Sequence, residues 1–161
     1  MIDLAYIRSK IVKGLKEELN IPIIRANQTG AAPPYPYMSY TITSLIDDKK
    51  GTWGEYTDGI HRKPATQTWS VTVQSDKVDE AMALCIQARD WLDHTGNVYL
   101  KDNKIIIQSV GIVNNRDNLI SIEYENRYGF DFTIWCLSEV GNSLEKTGTI
   151  DEVDIANMMI N

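Results

Sequence analysis

The chain of 161 residues carries 16 Lys and Arg against 22 Asp and Glu, which gives a formal net charge of −6 at pH 7. Hydrophobic residues make up 43% of the sequence and charged residues 24%, values that are ordinary for a globular domain and argue against wholesale disorder. The negative charge argues against a nucleic-acid-binding domain, because such domains usually present an excess of Lys and Arg on one face.

The sequence offers no export or membrane signal. Charged residues are scattered through the apolar positions of residues 1–19, which a signal peptide does not tolerate. The longest apolar stretch, around residues 105–113, is interrupted by polar residues and is too short to cross a bilayer. Cys85 and Cys136 allow a disulfide, but a chain without an export signal favours reduced, buried thiols. These features predict a protein that is made and used in a cytoplasm.

The first predicted element is an amphipathic helix that starts at Asp3 and ends before Pro22. Its apolar residues recur every three or four positions, with lysine and glutamate on the opposite face. These apolar residues are Leu4, Ile7, Ile11, Leu15 and Leu19. Residues 20–34 follow as an irregular connector, in which Ile23 and Ile24 are compatible with a short strand.

Two strong strands are predicted over about residues 37–46 and 66–74, joined by a long polar loop over residues 47–65. Hairpin loops usually have two to five residues, so a connector of this length either has a function or is disordered. Trp53 and Tyr56 lie on this loop and have no neighbouring element to pack against. They either fold back on the core or contact a partner, and the enrichment of aromatic residues at interface hot spots favours the partner.

A second helix is predicted from about Ser75 to Trp91, and Gly96 is expected to close it as the C′ residue after His94. Its apolar stripe consists of Val78, Met82, Cys85 and Leu92, widened by Ala81, Leu84 and Ala88. Residues 97–113 are predicted to form a short strand, a tight turn at 101–104 and a longer strand.

Two further strands, over residues 120–125 and 128–134, meet with almost no loop between them, because apolar and polar residues alternate on both sides of Arg127. Gly129 falls where a β-bulge or a tight bend would need it. Arg127 and Asp131 form the most conspicuous polar pair. They either make a salt bridge at a subunit contact or lie on a solvated sheet face, where such pairs contribute about 0–1 kcal/mol.

The end of the chain differs in character from the rest. It is polar and punctuated by glycine, and its aliphatic residues stand among acidic ones. These aliphatic and methionine residues include Ile150, Val153, Ile155 and Met158. We therefore predict one α+β domain over residues 1–137 and a C-terminal arm or extension over residues 138–161. The domain is expected to contain an antiparallel sheet of about five strands with two amphipathic helices packed on it.

The sequence contains no nucleophile elbow, phosphate-binding loop, dinucleotide fingerprint or zinc-protease helix. The two histidines, His61 and His94, are far apart in sequence, and neither they nor the two cysteines show the spacing of zinc ligands. The sequence therefore predicts no catalytic residue, no cofactor and no metal site.

The segment Glu125-x-Arg127-x-Gly129-Phe130-Asp131 resembles a signature of neck and tail-terminator proteins from long-tailed bacteriophages. The resemblance extends to a proline-aromatic lead into a strand over residues 33–42 and to a strand that runs directly into a helix over residues 69–91. Together these blocks cover roughly residues 1–137.

The resemblance implies a structural virion protein, not an enzyme, that forms a ring, caps the tail tube and joins the tail to the head. It implies a cyclic homo-oligomer, a hexamer in this family, that contacts the tail-tube protein and the head-connector or stopper proteins. Genome DNA would pass through the ring without specific binding, and no membrane would be involved. The protein would assemble in the host cytoplasm and remain in the neck of the virion.

Two alternatives stay open at this point. One is a head-completion or stopper ring of the same connector, and the other is a small α+β enzyme with an unrecognised pocket, which would require titratable residues to converge. The residues predicted to contact a partner or a second subunit are Trp53, Tyr56, Arg127, Asp131, Ile150, Val153, Ile155 and Met158.

Overall fold

A computed structural model of the chain describes residues 2–47, 54–118 and 125–141. The helices are α1 (Leu4–Leu19), α2 (Val78–Asp90) and α3 (Asn97–Asp102), with a π-helical turn (Trp91–Thr95) between the last two. The strands are β1 (Ile23–Arg25), β2 (Tyr37–Asp47), β3 (Glu55–Thr57), β4 (Ile60–Ser75), β5 (Ile106–Val110), β6 (Asn114–Asn115) and β7 (Asn126–Gly141).

The strands form one open sheet in the order β1-β2-β4-β7-β5, with β3 paired to β4 and β6 paired to β7. The α+β class is as predicted. However, the described residues contribute seven strands to the sheet, not about five, and the sheet is mixed, because β1 pairs in parallel with β2. Parallel neighbours need a long return connection in place of a hairpin, and residues 26–36 supply it.

Helix α1 confirms the prediction at both ends. The Asp3 side chain accepts a hydrogen bond from the Tyr6 backbone N–H at 2.9 Å, which satisfies a free donor of the first turn. At the other end Asn20 adopts a left-handed conformation with φ 51°. The buried stripe of α1 includes Ile7, Ile11 and Leu15.

The predicted strand after Gly96 is wrong, because residues 97–102 form helix α3. Gly96 follows the π-helical turn, but with a φ of −82° it lacks the left-handed conformation that is common at a C′ position. A Cβ atom at this position would collide with the indole ring of Trp91, so glycine is required here for close packing. The chain therefore passes from one helix to the next beneath a buried tryptophan.

The long loop predicted over residues 47–65 is also wrong in its second half. Strands β3 and β4 form a hairpin, with Thr57 opposite Ile60 and only Asp58 and Gly59 between them. Both turn residues have positive φ, 53° and 72°, as a two-residue hairpin turn of the primed type requires. Residues 48–53, including Trp53, lie outside the described part of the chain.

Strands β4 and β7 pair along their whole lengths, from Ile60 opposite Gly141 to Ser75 opposite Asn126. The register contains no shift, so the bulge expected at Gly129 is absent from this strand pair. Strand β7 also continues four residues beyond Leu137, where the domain was predicted to end. The division into a domain and an arm stays a prediction, because residues 142–161 lie outside the described range.

The described helices pack on one face of the sheet, which carries the core. Trp69 stacks between Tyr40 and Phe132, with ring centroids 5.5 and 5.9 Å away. Phe130 and Ile134 on β7 complete this face, and each is fully buried. Cys85 and Cys136 are reduced and buried, as predicted. We call the opposite side of the sheet the open face.

Candidate interaction surfaces

The open face carries an exposed apolar cluster where β4, β7 and β5 lie side by side. Trp135, Leu137 and Ile106 expose 47%, 46% and 44% of their surface. Ile106 is directly opposite Trp135 across the β5–β7 pair, and Pro64 is directly opposite Leu137 across the β4–β7 pair. The four residues therefore form one continuous surface, which we call the sheet patch.

Helix α2 carries a second exposed apolar cluster. Val78, Met82 and Ile86 recur every four residues and expose 43%, 40% and 51% of their surface. The nearby Arg89 donates a hydrogen bond from Nε to the Gly111 carbonyl oxygen at 3.0 Å, which holds the segment after β5 against the helix. Ile112, the next residue in that segment, is 79% exposed. We call Val78, Met82, Ile86 and Ile112 the helix patch.

These exposures correct the predicted apolar stripe of α2. Its core-facing residues are the small Ala81, Cys85 and Ala88, which are buried against the sheet. Val78 and Met82 were predicted to belong to the same buried stripe, but they lie on the flank of the helix. Single exposed apolar residues are normal, whereas contiguous clusters on one surface mark sites of protein–protein contact.

A polar cleft of about 450 Å³ lies at the other end of the open face. Residues 25–32 of the connector form one wall, and Tyr37 and Gln74 lie on the sheet side. Arg116 and Arg127 also line it. Because each of these two arginines is paired with a carboxylate, the cleft presents little unbalanced positive charge from them.

Arg127 and Asp131 both lie on the open face, but they do not pair with each other. Arg127 donates from Nη2 to Glu125 at 2.7 Å, and Asp131 accepts from Nη2 of Arg116 at 2.9 Å. Sequence reasoning missed Arg116, because nothing in its local pattern shows that it reaches across the sheet.

Arg116 acts as a clamp on the open face. Its Nη1 donates to Ser70 Oγ at 2.7 Å and to Thr72 Oγ1 at 3.1 Å, both on β4. Burial by itself raises the pKa of Asp131, but hydrogen bonds from Ser70 and Arg116 and the charge of Arg116 outweigh it and hold the pKa below its usual range. The clamp therefore ties the segment after β6 to two central strands.

The Tyr37 phenol donates a hydrogen bond to Glu125 Oε1 at 3.3 Å. Burial, followed by the charge of Glu125, raises its pKa to about 12. The ordinary pKa of tyrosine is about 10, so the folded protein favours the neutral phenol. The stability that follows from this shift is present below about pH 10 and is lost as the pH rises through about 12.

We expect an alkaline titration followed by phenolate absorbance to show a step near pH 12 that Tyr37→Phe removes. Glu125→Gln should move this step to lower pH, because the substitution removes a negative charge that raises the pKa of Tyr37. The pKa should stay above the ordinary tyrosine value, because burial still raises it. An unchanged high-pH step in Tyr37→Phe would contradict the assignment.

The remaining predicted contact residues divide into two groups. Tyr56 lies on β3 and is 56% exposed, so it is placed at the surface. Residues outside the described part of the chain are Trp53, Ile150, Val153, Ile155 and Met158.

Within residues 2–47, 54–118 and 125–141, no cluster of three or more His, Cys, Asp or Glu side chains is arranged to hold a metal ion. Across the same ranges, no helix has the length and apolar character needed to span a membrane.

Comparison with known proteins identifies the family. Residues 9–160 match the family model described as phage neck terminator protein. The match covers nearly the whole chain, so the chain belongs to this family, and the resemblance carried by the segment from Glu125 to Asp131 is confirmed. No curated protein matches the chain.

Proposed function

We propose that this member of the phage neck terminator family forms a closed ring that caps the completed tail tube and joins it to the head connector. The family match over residues 9–160 carries the proposal, and it assigns the chain a structural role in the phage neck. A cap must bind copies of itself laterally and bind different proteins above and below. Self-association with cyclic symmetry and two unlike outer faces satisfies that requirement.

The surfaces of the described residues support this proposal. A chain that worked alone would have little reason to leave Trp135 and Leu137 exposed on the sheet together with Met82 and Ile86 on the helix. We propose that the ring is a hexamer, that Tyr56 lies at a contact with a neighbouring protein, and that the C-terminal segment adds further contacts. Apolar residues that would make them are Ile150, Val153, Ile155 and Met158.

The net charge fits a passage for DNA. Clustered Lys and Arg on a channel wall would bind phosphates and release counterions, which would slow the genome. A chain with a net charge of −6 has an excess of acidic groups that repel phosphate. We propose that DNA passes through the ring without specific binding, and that the ring assembles in the host cytoplasm before it becomes part of the virion.

The test is deletion of the gene in a phage that encodes the protein. Without a cap, tube growth has no stop, so we expect tails of variable length and heads that carry no tail. Expression of the wild-type chain in the host should restore uniform tails and complete particles. Tails of normal length beside heads that lose their DNA would instead identify a head-completion or stopper ring and overturn the capping role.

A further inference from the structure

Resting on the proposed ring, we propose that neighbouring copies meet head to tail, with the helix patch of one copy docked on the sheet patch of the next. The occupant of the sheet patch is therefore a second copy of this chain. Three features of the described residues support this inference: the positions of the two patches, their shapes and the charges beside them. The geometry of the proposed ring adds a further requirement.

The two patches lie on opposite layers of the molecule. The helix patch belongs to the layer that covers the core, whereas the sheet patch lies on the open face. A copy cannot bring its own patches together, because the sheet separates them. Each patch can therefore be covered only by another molecule. The helix patch of one copy and the sheet patch of another can cover each other.

The helix patch stands on the flank of α2 that faces away from α1. On the opposite flank, Gln87 donates from Nε2 to Glu18 of α1 at 3.1 Å, so α1 occupies that side. Arg89 lies on the same side as the helix patch, where its hydrogen bond to the Gly111 carbonyl holds the segment after β5. A helix ridge that is open to one side is the shape that packs on a flat sheet surface.

The molecule already uses this kind of packing internally. The buried face of α2 lies on β4 and β7 through Ala81, Cys85 and Ala88. The proposed contact repeats it between copies, with the larger Met82 and Ile86 resting on Trp135. Buried aromatic anchors of this kind dominate the energy of protein interfaces.

The balance of exposed charge beside the two patches is opposite in sign. Next to the helix patch on α2, Asp79 and Asp90 outnumber Lys77, and just before Ile106 of the sheet patch, Lys101 and Lys104 outnumber Asp102. None of these six side chains forms an ion pair within the described part of the chain. Opposite charges at the border of an apolar contact favour one partner orientation over its reverse.

Contact between unlike patches generates a ring when the rotation from one copy to the next closes on itself. When one copy's helix patch meets the next copy's sheet patch, each copy retains one free patch of the other kind, and addition continues until the ends meet. An interface between identical patches would stop at a dimer. The pairing of unlike surfaces therefore provides the lateral contact that the proposed cap needs.

The experiment is cysteine cross-linking in assembled particles with a short bismaleimide. Ile86→Cys places a thiol in the helix patch and Ile106→Cys places one in the sheet patch. The chain with both substitutions should give a ladder of covalent oligomers larger than a dimer. Either substitution alone should give monomers only, and a mixture of the two single variants should give dimers and nothing larger.

The matched control is Lys13→Cys combined with Ile106→Cys, because Lys13 is exposed on α1, 67% at its side chain, away from both patches. It should give no ladder. Dimers from either single variant would show that like patches meet and would overturn the head-to-tail pairing. If the double variant gives no ladder while a long lysine-reactive reagent still links copies, the pairing of the helix patch with the sheet patch is wrong, but the proposed ring is not contradicted. If that reagent also yields only monomers, the proposed ring itself fails.

Discussion

Replacing Phe132 with alanine is expected to lower the free energy of unfolding by about 3–5 kcal/mol, the usual range for deleting a buried phenylalanine ring. Phe132 is 1% exposed and lies against Trp69 and Phe130, with centroids 5.9 and 6.3 Å away. Removal of the ring leaves a cavity between the rings of Trp69 and Phe130. The sheet holds these two rings apart, so the cavity has little freedom to collapse.

Equilibrium unfolding in denaturant measures this loss, and Trp135→Ala is the matched control. Trp135 lies on the same strand but on the open face, and it is 47% exposed. Although it is the larger side chain, its replacement should cost about half as much or less, because much of its surface already contacts water. Equal losses at the two positions would contradict the assignment of core and open faces.

Gly129→Ala is expected to destabilise the fold by about 1–3 kcal/mol, the range for forcing an extra methyl group into a packed site. The added Cβ would collide with the Val71 carbonyl oxygen of the neighbouring strand and would lie 2.8 Å from Thr72 Oγ1 and 2.9 Å from Arg116 Cδ. The first obstacle is backbone within a continuous strand pair, so relief requires a shift of β4 or β7.

The same substitution should disturb the Arg116 clamp. We expect the pKa of Asp131 to rise toward its ordinary value in Gly129→Ala, because displacement of Arg116 removes a hydrogen bond and a positive charge. Carboxyl titration by NMR follows this change. Gly141→Ala is the control, since a Cβ there meets no atom of the described residues within 4 Å, its chain neighbours aside, and should leave the unfolding midpoint nearly unchanged. A midpoint for Gly129→Ala equal to that of the wild type would refute the packing role.

Sequence reasoning succeeded where the local spacing of apolar residues determines the structure. The start and end of α1 follow from the spacing of its apolar residues and from the Asp3 cap. The structure confirms the predicted start and end. The alternation of Phe130, Phe132 and Ile134 correctly placed one face of β7 in the core. These patterns depend only on neighbours within a few residues, which a sequence displays directly.

It failed where distant residues decide the outcome. Residues 97–102 read as a strand, but they form a helix that begins after Gly96, which lies against the ring of Trp91. The partners of Arg127 and Asp131 depend on Glu125 and on the reach of Arg116 across the sheet. The hairpin at Asp58 and Gly59 was different, since an Asp-Gly pair is itself a strong turn signal that the polar composition of the loop obscured.

The candidate surfaces show why exposure is difficult to predict. Helix α2 has more apolar residues than its contact with the sheet can cover, and the sequence does not show which ones are left outside. Ala81, Cys85 and Ala88 take the buried positions because their small side chains let the helix approach the sheet closely. Met82 and Ile86, with longer side chains, remain on the flank.

The unbroken pairing of β4 with β7 has a mechanical consequence. A pull directed along the strands, which drags one past the other, loads every backbone hydrogen bond from Ile60–Gly141 to Ser75–Asn126 at the same moment. A pull that lifts one strand end away from the sheet loads these bonds one after another. The molecule should therefore withstand tension along the strands far better than peeling at Gly141, and its direction in an assembly under load decides how much force it bears.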